Sequence, residues 1–247
     1  MVLSERDKGL RRVAARLWFY SKEIWRHKAD SYRHGEIFTW LRYFPQWQKS
    51  LDSSPVSDRR PWLTYGAIEF LDSILCREMR VCEYGVGGST LFFLDRVHEI
   101  VSIEHDAEWL SKLKVIVPVS NQWTLHVIPP SGIRSGTTKA DSYASEHPGF
   151  GGFSFEEYAR LIESYPDNFF DLVQVDGRAR VPCMKHSIAK VKPNGFLVLD
   201  DAERARYAEA HFRLDALGWE KHDFFGPTPY QQGFQSTCIW RRTENPR

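Results

Sequence analysis

Residues 81–106 read VCEYGVGGSTLFFLDRVHEIVSIEHD. An apolar run, VCEY, ends in the carboxylate Glu83 and the glycine-rich turn Gly85, Gly87 and Gly88. A second apolar run, EIVSIE, ends about twenty residues later in Glu104. Strand, glycine turn, helix and strand in that order form a parallel βαβ unit, and the glycines remove the side chains that would keep a ligand from the backbone N–H groups. A dinucleotide turn of the form GxGxxG needs a third glycine, and that position is Thr90. Glu83 would repel a pyrophosphate and suits an ammonium or a bound water. Glu104 is placed to hold a ribose diol with both carboxylate oxygens.

Outward from this unit the alternation continues. WLTYGAIEFLDSIL (62–75) reads as a helix, TLHVI (124–128) as a third strand and FFDLVQVD (169–176) as a fourth. Pro193-Asn194-Gly195 leads into FLVLDD (196–201), a helix covers about 203–217, and KHDFFG (221–226) and QSTCIWRR (235–242) complete the sheet. Asp106 is placed to cap the helix AEWLSKLKVI, and Ser154 with Glu157 forms a capping-box pattern. Residues 129–153 are too long and too rich in Gly, Pro and Ser for a simple connection and read as a lid or a disordered loop.

Upstream, residues 8–28 carry Leu10, Val13, Leu17, Tyr20, Ile24 and Trp25 at helical spacing among Arg and Lys, a basic amphipathic helix expected to pack on the main domain. The first 50 residues hold 11 Lys/Arg against 5 Asp/Glu, while the whole 247-residue chain has a net charge of +1. The polar segment 52–61, with Ser53, Ser54, Pro55, Ser57 and Pro61, reads as a linker, which divides the chain into an N-terminal helical extension, 1–60, and a Rossmann-like domain, 61–247.

No segment reaches the roughly 20 apolar residues of a membrane span, and early charges exclude a signal peptide. The four cysteines lack metal-ligand spacing and two fall within apolar runs, which fits reduced thiols in a cytoplasmic setting. The basic excess lies on a helix with a broad apolar face, which favours no nucleic-acid partner and leaves peripheral membrane contact open.

EYGVGGST followed by SIEHD resembles the first two motifs of class I S-adenosylmethionine-dependent methyltransferases, over about residues 61–241. RPWLTYGAIEFL, VDGRARVPCMKHSIAKVKPNGFLVLDD and GPTPYQQGFQSTCIW further resemble a poorly characterised bacterial branch of that family. The resemblance implies a doubly wound, mostly parallel seven-stranded sheet with the last strand antiparallel, and S-adenosylmethionine as cofactor. It implies a cofactor site of Thr64, Glu83, Tyr84, Gly85, Gly87, Gly88, Ser89, Glu104, His105 and Asp176.

Asp176 after strand four, with Asp200 and Asp201 after strand five, is similar to the ion site of metal-dependent O-methyltransferases, so Mg²⁺ on these three acids is one expectation. The other gives Asp201 the next helix cap and Asp176 a cofactor or substrate contact. Asp176 is the first candidate for a general base and His186 the second. Tyr143, Arg178 and Tyr230 are candidate contacts to a small-molecule or glycan acceptor. Methyl transfer to an oxygen is the expected reaction, and a homodimer is compatible. An NAD-dependent oxidoreductase and a non-catalytic cofactor-binding or membrane-associated scaffold are the alternatives.

Overall fold

A computed structural model describes residues 5–28, 36–113, 116–117, 120–133, 143–145 and 147–244. Much of the expected lid, residues 134–142 and 146, lies outside the described residues, as do the side chains of Lys8 and Leu10 on the first helix.

The chain begins with two helices, α1 (Glu5–His27) and α2 (Ile37–Ser50). α2 continues through Pro45, which sits on its exposed side. There follow α3 (Tyr65–Ile74), β1 (Arg80–Tyr84), α4 (Gly88–Leu94), β2 (Glu99–Glu104), α5 (Ala107–Leu113) and β3 (Trp123–Val127). A short hairpin, β4 (Ser131–Ile133) and β5 (Phe153–Ser154), brackets the loop. Then come α6 (Glu156–Arg160), β6 (Phe170–Val175), α7 (Arg180–Ser187), β7 (Val191–Leu199), α8 (Ala208–Ala216), β8 (Glu220–Pro227) and β9 (Phe234–Arg241).

Among the described residues the main sheet has seven strands in the order β3-β2-β1-β6-β7-β9-β8. β9 alone runs against its neighbours β7 and β8. This is the doubly wound, mostly parallel Rossmann-like sheet expected from the sequence. Strand order reverses between β1 and β6, which opens a crevice beyond their carboxyl ends.

Side-chain alternation divides the core between the two faces. Cys82 and Tyr84 of β1 pack with Phe155, Tyr158 and Met184 on one face, while Val81 packs with Leu91, Phe93 and Leu71 on the other. A third cluster joins Tyr20, Trp40, Tyr43 and Trp47 of the N-terminal helices to Tyr65 and Phe234. Trp40 Nε1 donates to Phe225 O at 3.1 Å and Trp47 Nε1 to Gln231 O at 2.8 Å. Gly226 makes the first of these possible, since a Cβ there would lie 2.8 Å from the Trp40 indole nitrogen.

The face that α1 turns inward is not the one its apolar spacing suggests. Tyr20 and Glu23 are buried and Ile24 packs on the aromatic cluster, but Val13, Leu17 and Trp25 are exposed. None of the described helices is long and apolar enough to cross a membrane.

Two helix starts also differ from expectation. Asp201 does not cap α8, which begins at Ala208; its Oδ1 instead accepts from Gln235 Nε2 at 2.6 Å. Ser154 Oγ accepts from Glu156 N at 3.3 Å, yet α6 starts without the expected capping box. The Asp106 cap is present, with Trp109 N donating to Oδ1 at 2.9 Å.

Candidate functional site

The three glycines after β1 have three different physical reasons. Gly85 has φ +98°, a left-handed conformation strained for any residue with a Cβ, and such a Cβ would lie 3.3 Å from Asp176 O on β6. Gly87 is extended and has no heavy atom within 4 Å of where a Cβ would sit, so its missing side chain leaves room in the crevice. Gly88 is packed: a Cβ there would overlap the carbonyl oxygens of Pro55 and Arg60. The expectation that Gly88 clears space for a ligand is corrected by this contact, because the space is filled by the 52–61 segment.

Glu83 lies beneath the turn, fully buried. Its Oε1 accepts from Thr90 Oγ1 at 2.5 Å and Ser102 Oγ at 2.7 Å, and its Oε2 from Ser89 Oγ at 2.7 Å. Thr90 Oγ1 in turn accepts from Gly87 N at 3.0 Å, so the residue that breaks the dinucleotide pattern is a strut of this turn. Burial pushes the Glu83 pKa up to about 7 against the pull of the three hydroxyls. Glu83 therefore holds the turn from below; burial and these three bonds take up the carboxylate that the sequence offered to an ammonium. Tyr84 also points inward, with its hydroxyl donating to Ala159 O at 2.8 Å.

Glu104 closes the turn from the side. Its Oε2 accepts from Val86 N at 3.0 Å, and its Oε1 accepts from His105 N at 2.6 Å and Asp106 N at 2.9 Å. Burial acts to raise its pKa, but the contact with His105 and the backbone donors outweigh it and hold the carboxyl below its ordinary range. Trp109 Nε1 donates to Val86 O at 2.7 Å and fastens the turn from α5. Oε2 carries that single protein hydrogen bond among the described residues, so one of its lone pairs is left for a hydroxyl.

Across the crevice, Asp176 N donates to Tyr84 O at 3.1 Å and places the end of β6 beside the turn. Gly177 is required there, because a Cβ would overlap Tyr158 Oη. Asp176, Asp200 and Asp201 do converge, but on a guanidinium. Arg180 Nη2 donates to Asp176 Oδ1 at 2.7 Å and Nη1 to Asp200 O at 2.5 Å; Nη1 lies 3.2 Å from Asp201 Oδ2. Asp200 Oδ1 accepts from Thr237 Oγ1 at 3.0 Å, and Asp201 Oδ2 lies 2.7 Å from Arg204.

Among the described residues no three His, Cys, Asp or Glu side chains are grouped to hold a metal ion. The expected Mg²⁺ set is corrected accordingly, since the cation among these acids is the protein's own Arg180. Asp200 is pushed well above the carboxylate range by burial and by Asp176. Asp176 keeps 28% of its side chain exposed, yet the protein around it and then Asp201, opposed by Arg180, set its pKa at about 6.

The remaining candidates lie around this centre. Arg178 lies over the Phe150 ring at 5.4 Å, and the same ring meets His105 edge-on at 5.0 Å. Phe150 therefore bridges the ends of β6 and β2. His186 has both ring nitrogens engaged, Nδ1 2.7 Å from Glu163 and Nε2 3.0 Å from the Tyr143 hydroxyl, with the Tyr143 ring stacked on its own. That pairing joins Tyr143 to α7.

Tyr230 donates to Asp58 at 3.1 Å and meets Trp62 edge-on, which ties its loop to the 52–61 segment. Thr64 Oγ1 is buried without a partner and lines a cavity of about 90 Å³ between α2 and β8, while Thr64 N donates to Thr237 Oγ1 at 3.2 Å. Thr64 thus joins the Asp200 side of the site rather than the glycine turn.

Sequence reasoning missed Ser102, Trp109, Phe150 and Arg180, and read Thr90 only as the residue in place of the third glycine. Arg180 carried one local signal, its position at the first turn of α7 four residues after Asp176.

No protein-family model matches the chain, and no curated protein matches it. Among solved structures, a protein of Corynebacterium glutamicum is similar at a TM-score of 0.54 and 12% identity, over 84% of this chain and 98% of that one. A methyltransferase-like protein from Silicibacter pomeroyi matches at a TM-score of 0.47 and 20% identity, over 76% of this chain and 92% of the other. Aeropyrum pernix fibrillarin, solved with natively bound S-adenosyl-L-methionine, matches at 0.44 and 12% identity, over 67% of each chain. At these identities the likeness is one of fold.

Proposed function

We propose that this chain is an S-adenosylmethionine-dependent methyltransferase that acts on an oxygen of a small molecule or sugar. The observation that carries the reading is the pairing of Glu104 with the glycine turn. A buried carboxylate held ionised at the tip of β2 keeps one lone pair of Oε2 beside Val86 N, next to the open space at Gly87. That arrangement suits a ribose diol and leaves a dinucleotide pyrophosphate without its third glycine, whose place Thr90 takes as the partner of Glu83. His105, half-buried beside Glu104 and met edge-on by Phe150, is the side chain nearest to where a base would lie beyond the ribose.

When bound, S-adenosylmethionine supplies a methyl group on a sulfonium that is transferred by direct displacement. The protein's own tasks are to align the acceptor, to exclude water and to take a proton from a hydroxyl acceptor. Asp176 fits the last task. It is the most exposed of the three acids, stands at the crevice, and has a pKa of about 6, which leaves it mostly ionised at neutral pH but basic enough to accept a proton. Arg180 fixes its Oδ1. Arg178, at the same strand end, is the candidate contact to an anionic or sugar acceptor.

The test is calorimetric titration with S-adenosylmethionine, its demethylated product and NAD. Binding of the first two is expected, and Glu104→Ala should weaken it by about 1.5–3 kcal/mol, the range for hydrogen bonds to a charged group. Equal affinity in the variant, or binding of NAD alone, overturns the reading.

A further inference from the structure

The first helix has two faces of opposite fate. Arg16, Tyr20, Glu23 and His27 recur at three- and four-residue spacing and face the protein. Arg16 donates to Gln48 O at 3.0 Å, Tyr20 is 1% exposed, Glu23 is 5% exposed, and His27 meets Phe225 edge-on at 4.6 Å. On the opposite face Trp18 and Trp25, two turns apart, are 65% and 67% exposed. Lys22 Nζ lies 5.3 Å from the Trp18 ring and Lys28 Nζ 5.0 Å from the Trp25 ring. On the adjoining α2, Phe38 is 82% and Leu41 50% exposed.

The charge on this surface has one sign. Between Gly9 and Lys28 the chain carries six Arg or Lys and a single acid, Glu23, which is buried and accepts from Arg26 at 3.2 Å, while Arg12 and Arg16 pair with Asp52. Two indoles stand out from this helix with ammonium groups over their rings. Tryptophan beside Lys and Arg is the composition of a membrane–water interface, where the ring sits at headgroup depth and the cation meets lipid phosphate.

We propose that the outward face of α1, centred on Trp18, Lys22 and Trp25, docks on an anionic phospholipid surface, with the helix lying in the plane of the interface. Arg11, Lys22 and Lys28 supply the attraction, and the two indoles supply the insertion. This inference is independent of the proposed chemistry, since it uses no residue of the crevice.

Cosedimentation of the full chain with phosphatidylcholine vesicles, with and without phosphatidylserine, tests it. The wild type should sediment with the phosphatidylserine vesicles, stay in solution with phosphatidylcholine alone, and be released as salt rises from about 0.05 to about 0.5 M. The double variant Trp18→Ser/Trp25→Ser should bind at least about tenfold more weakly while keeping its thermal midpoint, because neither ring touches the core. Ile24→Asp on the opposite face should lower the midpoint. Wild type that stays in the supernatant, equal binding by the double variant, or a wild-type dimer in solution that the variant turns into a monomer would each overturn the proposal, the last by making this face a contact between copies.

Discussion

Glu83→Gln isolates the cost of the carboxylate that supports the glycine turn. Glutamine keeps the shape, and the hydroxyls of Ser89, Thr90 and Ser102 can rotate to satisfy it, so the substitution mainly removes the titration. In the fold Glu83 is raised from the usual 4.5 to about 7, because burial outweighs three donated hydrogen bonds. Between those two pH values the native state holds a proton that the unfolded chain has lost, so the contribution of Glu83 is fully present below 4.5 and fades as pH rises through 7. Integrated from about pH 5 to about pH 8 the change is roughly 2.5 kcal/mol, an upper figure for one buried group. Urea unfolding of wild type and variant at both pH values measures it directly. Wild type minus variant should drop by about 1–2.5 kcal/mol on going to the higher pH. A difference that stays constant within about 0.5 kcal/mol would mean that the three hydroxyls stabilise the anion fully, and the account of the turn as a strained support would fail.

Arg180→Met should destabilise by about 3–5 kcal/mol near neutral pH, because three converging acids lose their shared cation. The penalty should shrink near pH 5 as Asp176, raised to about 6, takes up a proton, and equal penalties at the two pH values in denaturant melts would contradict the cluster. Phe150→Ala removes the ring between His105 and Arg178, contacts worth about 0.5–1.5 kcal/mol. If the turn at 148–150 covers bound cofactor, dissociation of S-adenosylmethionine in stopped flow should speed up about two- to tenfold, and an unchanged rate would place the cofactor elsewhere.

The sheet was legible because each of its signals is local. Alternating apolar runs set the strands, glycine and the missing third glycine defined the first turn, and acids marked the strand ends. Glu104 and Asp176 were placed at the crevice in this way, since a carboxylate at the carboxyl end of a parallel strand faces the crevice by topology alone. What failed depended on distant partners. Tyr84 follows Glu83 by one residue, and the alternation that sends Glu83 toward α4 sends the tyrosine ring into the opposite core. The three aspartates looked like a metal set because carboxylates suggest a cation, and sequence does not say whether the cation is Mg²⁺ or an arginine one helical turn away. The inward face of α1 was misread because its tryptophans and leucines count as apolar in any periodicity, whereas it is Tyr20, with Ile24 beside it, that finds the aromatic cluster of Trp47, Phe44 and Phe234 to pack on.

The 52–61 segment is the sharpest case. Its Pro, Ser and Asp residues have the composition of a linker, and composition reports only that a segment cannot build a core of its own. Here the segment is held from three sides: Arg59 pairs with Asp95 after α4 at 2.6 Å, Asp58 accepts from Tyr230, and the Pro55 and Arg60 carbonyls fill the space that Gly88 leaves. The glycine turn is thus clamped between Glu83 below, Glu104 at its side and the linker above Gly88, and only the side at Gly87 is open. A residue that sequence reads as room for a ligand is room for the protein's own backbone, and the N-terminal extension takes part in shaping the crevice. Any change that loosens α1 and α2, whether a core substitution such as Ile24→Asp or a strong pull from a lipid surface on Trp18 and Trp25, acts on a segment in direct contact with the first residue of α4. The surface proposed to meet lipid and the turn proposed to hold a cofactor are therefore joined through α2 and the 52–61 segment.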